Sequence, residues 1–343
     1  MLSSKNEGQQ ELQASWSKFQ NQARTGPPAD QSSKPGSDQK VMPSDDFTAL
    51  RPKLLAIAYR MLGSVEDAED VVQDAYFIWD RAVEIQDPEA WLVKVTTNRC
   101  IDKLRQRQKQ NAYPGAWLPE PVSEQWPGGT ADAVELAESL SMAFLLLLET
   151  LTPAERAAFL LREAFGYGFD QIALLLDKSA GNVRQLVTRA RQRVAHQDRR
   201  FHPDRPQAEK LADEFFAACR SGDLQKIEAM LASDVVLLSD GGGVVHAARS
   251  PIRGTARIAK LLAITFRKAR EQGHESVVTV NGQPGVALHT SDGNTKLMSY
   301  QIVSGRIQQI YFVLNPDKLR RWNWTDHGQA VRQFVPLRPK PTL

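Results

Sequence analysis

Apolar residues recur at three- and four-residue spacing through most of the first half of the chain and alternate with polar ones only beyond about residue 230. The first pattern predicts helices and the second predicts strands. Across 47–62, Leu50, Leu54, Ile57, Ala58 and Met61 share one helical face, with Pro52 near the first turns, where a missing N–H does least harm. A second predicted helix, 65–81, turns Ala68, Val71, Val72, Ala75, Ile78 and Trp79 inward and Glu66, Glu69, Asp70, Gln73 and Phe77 outward. The outward face is acidic with one aromatic, which suits either solvent or a protein partner. A third helix opens at Asp87-Pro88, a cap followed by proline, and runs through Trp91, Leu92, Val95 and Ile101 to Leu104. Its end is basic. Arg99, Lys103, Arg105, Arg107 and Lys109 stand against Asp102 alone, and Trp91, Thr96, Thr97 and Asn98 ahead of them supply groups that stack on or hydrogen-bond unpaired bases.

A different signature begins at Thr152-Pro153-Ala154-Glu155, where a threonine and a glutamate three residues apart can satisfy each other's free backbone donors. Phe165-Gly166-Tyr167-Gly168 breaks that helix, and Ile172, Leu175 and Leu176 define a short second one. Asp177-Lys178-Ser179 supplies a turn, with Ser179 as the next cap. In the helix that follows, Val183, Leu186, Val187, Ala190 and Val194 form the inner stripe. Gly181, Arg184, Gln185, Thr188 and Gln192 face away, and Arg189 and Arg191 lie on the flanks. From Arg184 to Arg200 six arginines oppose one aspartate, enough to neutralise phosphates, and arginine and glutamine read base edges bidentately. An arginine run alone is usually a solvated face; the cap, turn and apolar stripe together favour a helix-turn-helix laid in a major groove.

Beyond about Gln207 the pattern changes again. An amphipathic helix to Arg220 and a short one, 224–231, lead to a strand at 235–238 and then Asp240-Gly241-Gly242-Gly243. A helix over 255–271 precedes alternating segments at 276–280, 286–289, 296–303 and 306–314. Asn281-Gly282, Asp292-Gly293 and Ser304-Gly305 punctuate them as hairpin turns. Helices first and an antiparallel meander last predict an α+β domain whose curved sheet wraps the helices.

The 343-residue length fits several domains, and the net charge of +3 shows that basic character is local rather than global. The two cysteines, Cys100 and Cys219, sit in separate helical patterns, which predicts neither a disulfide nor a metal site. The longest apolar run, Met142 to Leu148, is too short to span a bilayer, and no secretory leader is legible, so a soluble, cytoplasmic protein without membrane contact is expected. The predicted organisation is a disordered tail over 1–44 (Leu12, Trp16 and Phe19 forming at most a transient helix, and Met42 offering an alternative start), a helical domain over 45–110, a linker over 111–130, a helix-turn-helix domain over 131–201, the α+β domain over 207–322 and a loose tail over 323–343. Pro114, Pro119, Pro121 and Pro127 predict a stiff, extended linker, in which Trp117 and Trp126 are unusual; at least one is expected to dock.

Ala68-Glu69-Asp70-Val71-Val72-Gln73-Asp74-Ala75, the helix from Ala90-Trp91-Leu92 through Asn98, Asp102 and Arg105, and the unit from Thr152 to Val194 together resemble regions two and four of a bacterial extracytoplasmic-function sigma factor. Trp117-Leu118-Pro119-Glu120-Pro121, Asp240-Gly241-Gly242-Gly243 and Asn315-Pro316-Asp317-Lys318-Leu319 resemble the signature strings of its SigJ-like subgroup, whose carboxyl-terminal extension is a SnoaL-like domain of the NTF2-like fold. The resemblance implies two all-α sigma domains, a region 2 bundle and a region 4 helix-turn-helix, followed by that α+β domain. It also implies core RNA polymerase and promoter DNA as partners, no cofactor, and no separate anti-sigma factor, with an unidentified small ligand of the extension left open. Glu69, Asp70, Gln73 and Asp74 match the surface that binds the clamp helices of the polymerase. Asn98, Arg99, Lys103 and Arg105 match the residues that open and read the downstream promoter element. Ser179, Asn182, Arg184, Gln185, Thr188, Arg189 and Arg191 match the reader of the upstream element. The three signature strings are implied to be regulatory. Val244 and Val245 follow the glycine run where the family carries a basic residue.

Two other classes are compatible with parts of the chain. An enzyme housed in the α+β domain would draw an acid or base from Asp240, His246, His289 or Tyr311, whose spacing shows no convergence. A simple repressor or activator would use the helix-turn-helix alone and leave the acidic helix and the basic stretch near Arg105 without a role.

Overall fold

The computed structural model describes residues 44–82, 85–109, 113–123, 125–128, 140–198, 205–290, 295–320 and 322. The expected amino-terminal tail, the Met42 start, the Asp292-Gly293 turn and the tail beyond Trp322 lie outside the described residues.

Helices α1 (Ser44–Leu62), α2 (Val65–Trp79) and α3 (Pro88–Gln108) form the first bundle. α1 starts three residues earlier than the periodicity predicts, which places Pro52 further inside it. Gly63 ends α1 with φ +64, a left-handed residue whose N–H returns to the Tyr59 carbonyl at 2.6 Å. Two arginines from elsewhere complete that end: Arg107 of α3 donates to Leu62 O at 2.8 Å, and Arg156, from beyond the linker, donates to Met61 O at 2.8 Å. Ser64 and Asp87 cap α2 and α3 through their side chains. The core holds Leu54, Ile57, Ala58, Met61, Ala68, Val71, Val72, Ala75, Trp79, Leu92 and Val95.

The second helical unit comprises α4 (Met142–Leu148), α5 (Pro153–Glu163), α6 (Phe169–Leu175) and α7 (Ala180–Asp198). The capping box at the start of α5 is complete, with Glu155 N donating to Thr152 Oγ1 at 3.3 Å and Thr152 N donating to Glu155 Oε2 at 3.0 Å. Ser179 Oγ accepts from Asn182 N at 3.2 Å and caps α7, while Asp177 takes the left-handed turn position at φ +53. Val183, Val187, Ala190 and Val194 are buried as their spacing predicts, and Leu186 is half-buried.

The third unit contains α8 (Arg205–Ser221), α9 (Leu224–Met230), β1 (Leu231–Asp240), β2 (Ile252–Arg253), α10 (Thr255–Gln272), β3 (Gly273–Val280), β4 (Gln283–Thr290), β5 (Thr295–Val303), β6 (Arg306–Val313) and α11 (Pro316–Leu319). The sheet order is β2-β1-β6-β5-β4-β3. Only β3 to β6 form the expected antiparallel meander; β1 pairs parallel to β6, and short β2 lies antiparallel at its outer edge. Both hairpin turns within the described residues are mirror-image turns: φ is +52 and +73 at Asn281-Gly282, and +50 and +71 at Ser304-Gly305. One face of the sheet carries Leu237, Val286, Leu288, Met298, Tyr300, Ile310 and Phe312 against Phe215, Phe216, Ile258, Leu262 and Phe266 of α8 and α10. The opposite face, with Val278, Val280, Ala287, Leu297, Tyr311 and Val313, is covered by Leu118, Met142, Ala143, Leu319 and Trp322. A sheet covered on both sides explains why β5 and β6 carry runs of consecutive buried residues, Leu297 to Tyr300 and Ile310 to Val313. The second cover is unusual, because it comes from the linker and the first helix of the helix-turn-helix unit.

Candidate nucleic-acid interface and the linker strap

On α7, Ser179, Asn182, Arg184, Gln185, Thr188, Arg189 and Arg191 are all exposed on the side away from the core. Several are already engaged. The Arg184 guanidinium lies 5.4 Å from the Phe169 ring, Thr188 Oγ1 donates to Arg184 O at 2.8 Å, and Arg191 pairs with Glu163 at 2.8 Å. Gln185 and Arg189 project beside them, so the helix presents amide, hydroxyl and guanidinium groups along one exposed face.

On α3 the picture differs from the expectation. Trp91 is buried edge-on to Trp79, with ring centroids 5.9 Å apart, and Thr96 and Thr97 are wholly buried, so these three cannot contact bases in this arrangement. Their side chains point into the bundle because α3 packs against both α1 and α2. Asn98 and Arg99 are half-buried, and Arg105 is exposed beside Asp102 at 3.3 Å. Lys103 sits between Asp67 at 2.5 Å and Asp70 at 3.2 Å. A cation expected at DNA and a carboxylate expected at polymerase are thus paired with each other. Glu69, Asp70, Gln73 and Asp74 lie along α2 next to Phe77, which is 51% exposed, a bare aromatic within an acidic surface.

The two helical units touch directly. Lys94 Nζ of α3 reaches Asp177 Oδ1 in the helix-turn-helix turn at 2.6 Å. Lys53 pairs with Glu89 at 2.5 Å, and Tyr167 Oη donates to the same carboxylate oxygen at 3.0 Å, which holds the Glu89 carboxyl below its ordinary range chiefly through the Lys53 hydrogen bond.

The linker, expected as a stiff, extended segment with at least one docked tryptophan, is buried through its central residues. Leu118, Pro119, Glu120, Pro121 and Val122 are all buried. The Glu120 carboxylate accepts from Val65 N at 2.8 Å and from Ser64 Oγ at 3.3 Å, placing a negative charge on the amino terminus of α2. Trp117 lies over Gly63, where a side chain would collide with the indole, and Lys318 Nζ lies 4.5 Å from the Trp117 ring. Trp126 packs on Tyr59, with centroids 4.8 Å apart, so both linker tryptophans dock.

The three signature strings converge on one carboxylate. Asp240, 1% exposed at the end of β1, accepts from Tyr113 Oη at 2.7 Å, Leu118 N at 2.9 Å, Gly242 N at 2.9 Å and Lys318 Nζ at 2.7 Å. Its backbone carbonyl accepts from Leu314 N and Asn315 N. Lys318 also donates to Leu118 O, and Asn315 Nδ2 donates to Tyr113 Oη at 3.0 Å. Gly242, at φ +64, leaves no room for a side chain against Asn315. Burial lowers the Lys318 pKa, with Asp240 acting against that, and burial followed by Asp240 raises that of Tyr113. Pro316 starts α11, Leu319 is buried in the second core, and Asp317 pairs outward with Arg320.

A second convergence was not legible beforehand. Asn281, 2% exposed at the β3–β4 turn, donates through Nδ2 to Tyr59 Oη at 2.7 Å and to Leu140 O at 3.0 Å. Its Oδ1 accepts from Val122 N at 3.1 Å, and its own N donates to Val122 O at 2.9 Å. One turn residue therefore holds α1, the linker and the approach to α4. The Asn-Gly dipeptide signals the turn, but nothing local signals its burial.

Among the described residues, none of Asp240, His246, His289 and Tyr311 hydrogen-bonds another. Asp240 serves the strap, His246 is exposed, His289 stacks on His274 at 4.3 Å, and Tyr311 donates to Gln309 at 2.5 Å. Val244, which follows the glycine run, is 68% exposed.

A three-helix bundle with an acidic aromatic face, a helix-turn-helix and a connecting strap define a two-domain promoter-reading protein, and residues 47–110 match the sigma-70 region 2 family while 141–194 match sigma-70 region 4. The chain belongs to the extracytoplasmic-function sigma factors of the sigma-70 family, with a SnoaL-like carboxyl-terminal domain. It is similar to the ECF RNA polymerase sigma factor SigJ of Mycobacterium tuberculosis, 33% identical over 290 residues that cover 81% of this chain and 93% of that protein. A probable ECF sigma factor, SigI, of the same species is 30% identical over 283 residues, covering 80% of this chain and 93% of its own. The crystal structure of SigJ superposes with a TM-score of 0.66 at 28% identity, covering 81% of this chain and 98% of that one. Sigma factors bind core RNA polymerase and promoter DNA to initiate transcription, and the chain is accordingly not an enzyme. Among the described residues no helix is long and apolar enough to cross a membrane.

Proposed function

We infer that this sigma factor is autoregulated: its SnoaL-like domain clamps regions 2 and 4 together and releases them when core polymerase and promoter are engaged. The buried Asp240, which ties β1 to the linker and to Lys318, is the observation that carries this reading. A carboxylate removed from water and satisfied by four donors makes the strap cooperative, since losing one partner leaves the charge short of another. With the clamp in the same chain, no separate anti-sigma factor is required, and the protein works in the cytoplasm, where its polymerase is.

In the released state Arg184, Gln185, Thr188, Arg189 and Arg191, with Ser179 and Asn182 at the helix start, read the upstream element, and Asn98, Arg99, Lys103 and Arg105 act on the downstream one. Glu69, Asp70, Gln73 and Asp74, with Phe77 between them and the bundle end, meet the polymerase clamp. The exposure of α7 and of the α2 face supports both assignments. Reconstituted initiation with core polymerase tests the regulatory part. Deleting everything after Phe201 changes promoter activity, and a second deletion beyond Trp322, which spares both the Asp240 strap and the Trp322 cover, separates loss of the clamp from loss of the tail. Unchanged activity in the first truncation would overturn autoregulation while leaving the sigma factor itself intact.

A further inference from the structure

The outer face of α10 carries Arg257, Lys260, Arg267 and Lys268, all exposed, with Arg253 exposed just ahead of the helix. At 100° per residue these four fall within one third of the helix circumference, and Glu271 is the one acid among them. The opposite side of α10, with Ile258, Ala259, Leu262, Phe266 and Ala269, is buried against the sheet. Among the described residues none of the five cations forms an ion pair or a side-chain hydrogen bond, whereas Arg107, Arg156, Arg193 and Lys318 elsewhere in the molecule are paired with carboxylates. The face also lies on the far side of the sheet from the strap: α10 packs in the core of α8 and α9, while Leu118, Met142 and Leu319 cover the other side. Autoregulation therefore leaves this surface unused, and the inference does not depend on it.

We propose that the α10 face is a third DNA contact, which docks on the phosphate backbone of the promoter duplex upstream of the element read by α7. Phosphate is the ligand such a surface fits. It offers guanidinium and ammonium groups around a single half-exposed apolar residue, Ile264, without the exposed aromatics or broad apolar centre of a protein interface or the amides that read bases. From Arg257 to Lys268 the helix spans roughly 16 Å at about 1.5 Å per residue, enough for two to three successive phosphates along one strand. Duplex is already held by this chain at α7, so a weak second site in the same molecule acts at high effective concentration.

The test uses holoenzyme carrying the full chain, wild type or with Arg257→Gln, Lys260→Gln, Arg267→Gln and Lys268→Gln combined. Binding is measured by anisotropy on two promoter fragments, one ending at the upstream element and one extending about 30 base pairs beyond it. On the long fragment the variant binds about tenfold more weakly near 0.1 M salt, and the slope of log K against log salt falls by about 2 to 3, as expected for two to three lost phosphate contacts. On the short fragment the two proteins bind alike. Equal binding on both fragments overturns the proposal, and so does an equal deficit on both, which assigns the face to polymerase. Loss of binding to phosphatidylglycerol vesicles without any loss on the long fragment also overturns it, in favour of a lipid surface. Unchanged initiation from the short fragment shows that the variant is folded.

Discussion

Lys94, buried in α3, reaches across to Asp177 in the turn of the helix-turn-helix at 2.6 Å. The two helical units are thus joined to each other as well as to the carboxyl-terminal domain. Asp177 holds φ +53, which asparagine tolerates. Asp177→Asn should therefore keep the turn and remove the charge, weakening the contact by about 1 kcal/mol because Asp177 is half in solvent. Single-molecule distance measurements between labels on α2 and α7 should show a larger open fraction in this variant, and an unchanged distribution would refute the prediction.

Lys318→Met leaves Asp240 as a buried carboxylate without its cation. Breaking such a pair from one side typically costs about 3–5 kcal/mol, whereas replacing both partners costs less. The single variant should therefore lower stability to denaturant sharply, and Lys318→Met combined with Asp240→Asn, which removes the charge but keeps an acceptor for Tyr113 and Gly242, should recover part of the loss. Initiation at low polymerase concentration should rise in the single variant, because the linker strand loses one of its two hydrogen bonds at Leu118.

At Asn281 two substitutions separate conformation from bonding. Asn281→Gly keeps the positive φ and removes only the side chain that binds Tyr59, Val122 and Leu140; Asn281→Ala adds backbone strain of about 1 kcal/mol. Protease cleavage in the linker should accelerate in both, and more in the alanine variant. Equal resistance to wild type would mean that the turn does not hold the linker.

His289 gives the domain an acid-sensitive edge. Burial and, secondarily, the charge of stacked His274 lower its pKa from 6.5 to about 4. Between those values the unfolded state binds more protons than the folded one. The contribution of His289 to stability is thus complete above pH 6.5 and falls as the pH drops toward 4. His289→Asn should flatten the decline in the urea midpoint between pH 7 and pH 5; an unaltered decline would assign it to other groups.

What the sequence revealed and what it hid divide by range. The α5 capping box, the Ser179 cap and the Asn281-Gly282 turn are formed within three residues, and local chemistry sets them. The parallel pairing of β1 with β6 and the burial of Thr96 and Thr97 depend on partners far along the chain, so spacing could not show them. The linker is the clearest case. Its prolines predict an extended segment, but the burial of Leu118 to Val122 comes from Gly63, Asp240 and Asn281, residues that no pattern within 111–130 could point to. The docking of Trp117 was foreseeable from the cost of leaving an indole in water, though its seat over Gly63 was not.

The burial of the linker also stores length. From Lys109 to Leu140 the chain runs 31 residue steps. As a free coil these would span about 30 Å, and fully drawn out they would reach roughly 100 Å. On the autoregulation proposed above, Asp240 and Asn281 withhold that slack for as long as they grip the strap. After release, a tether rather than a rigid frame would set the distance the two helical units can bridge.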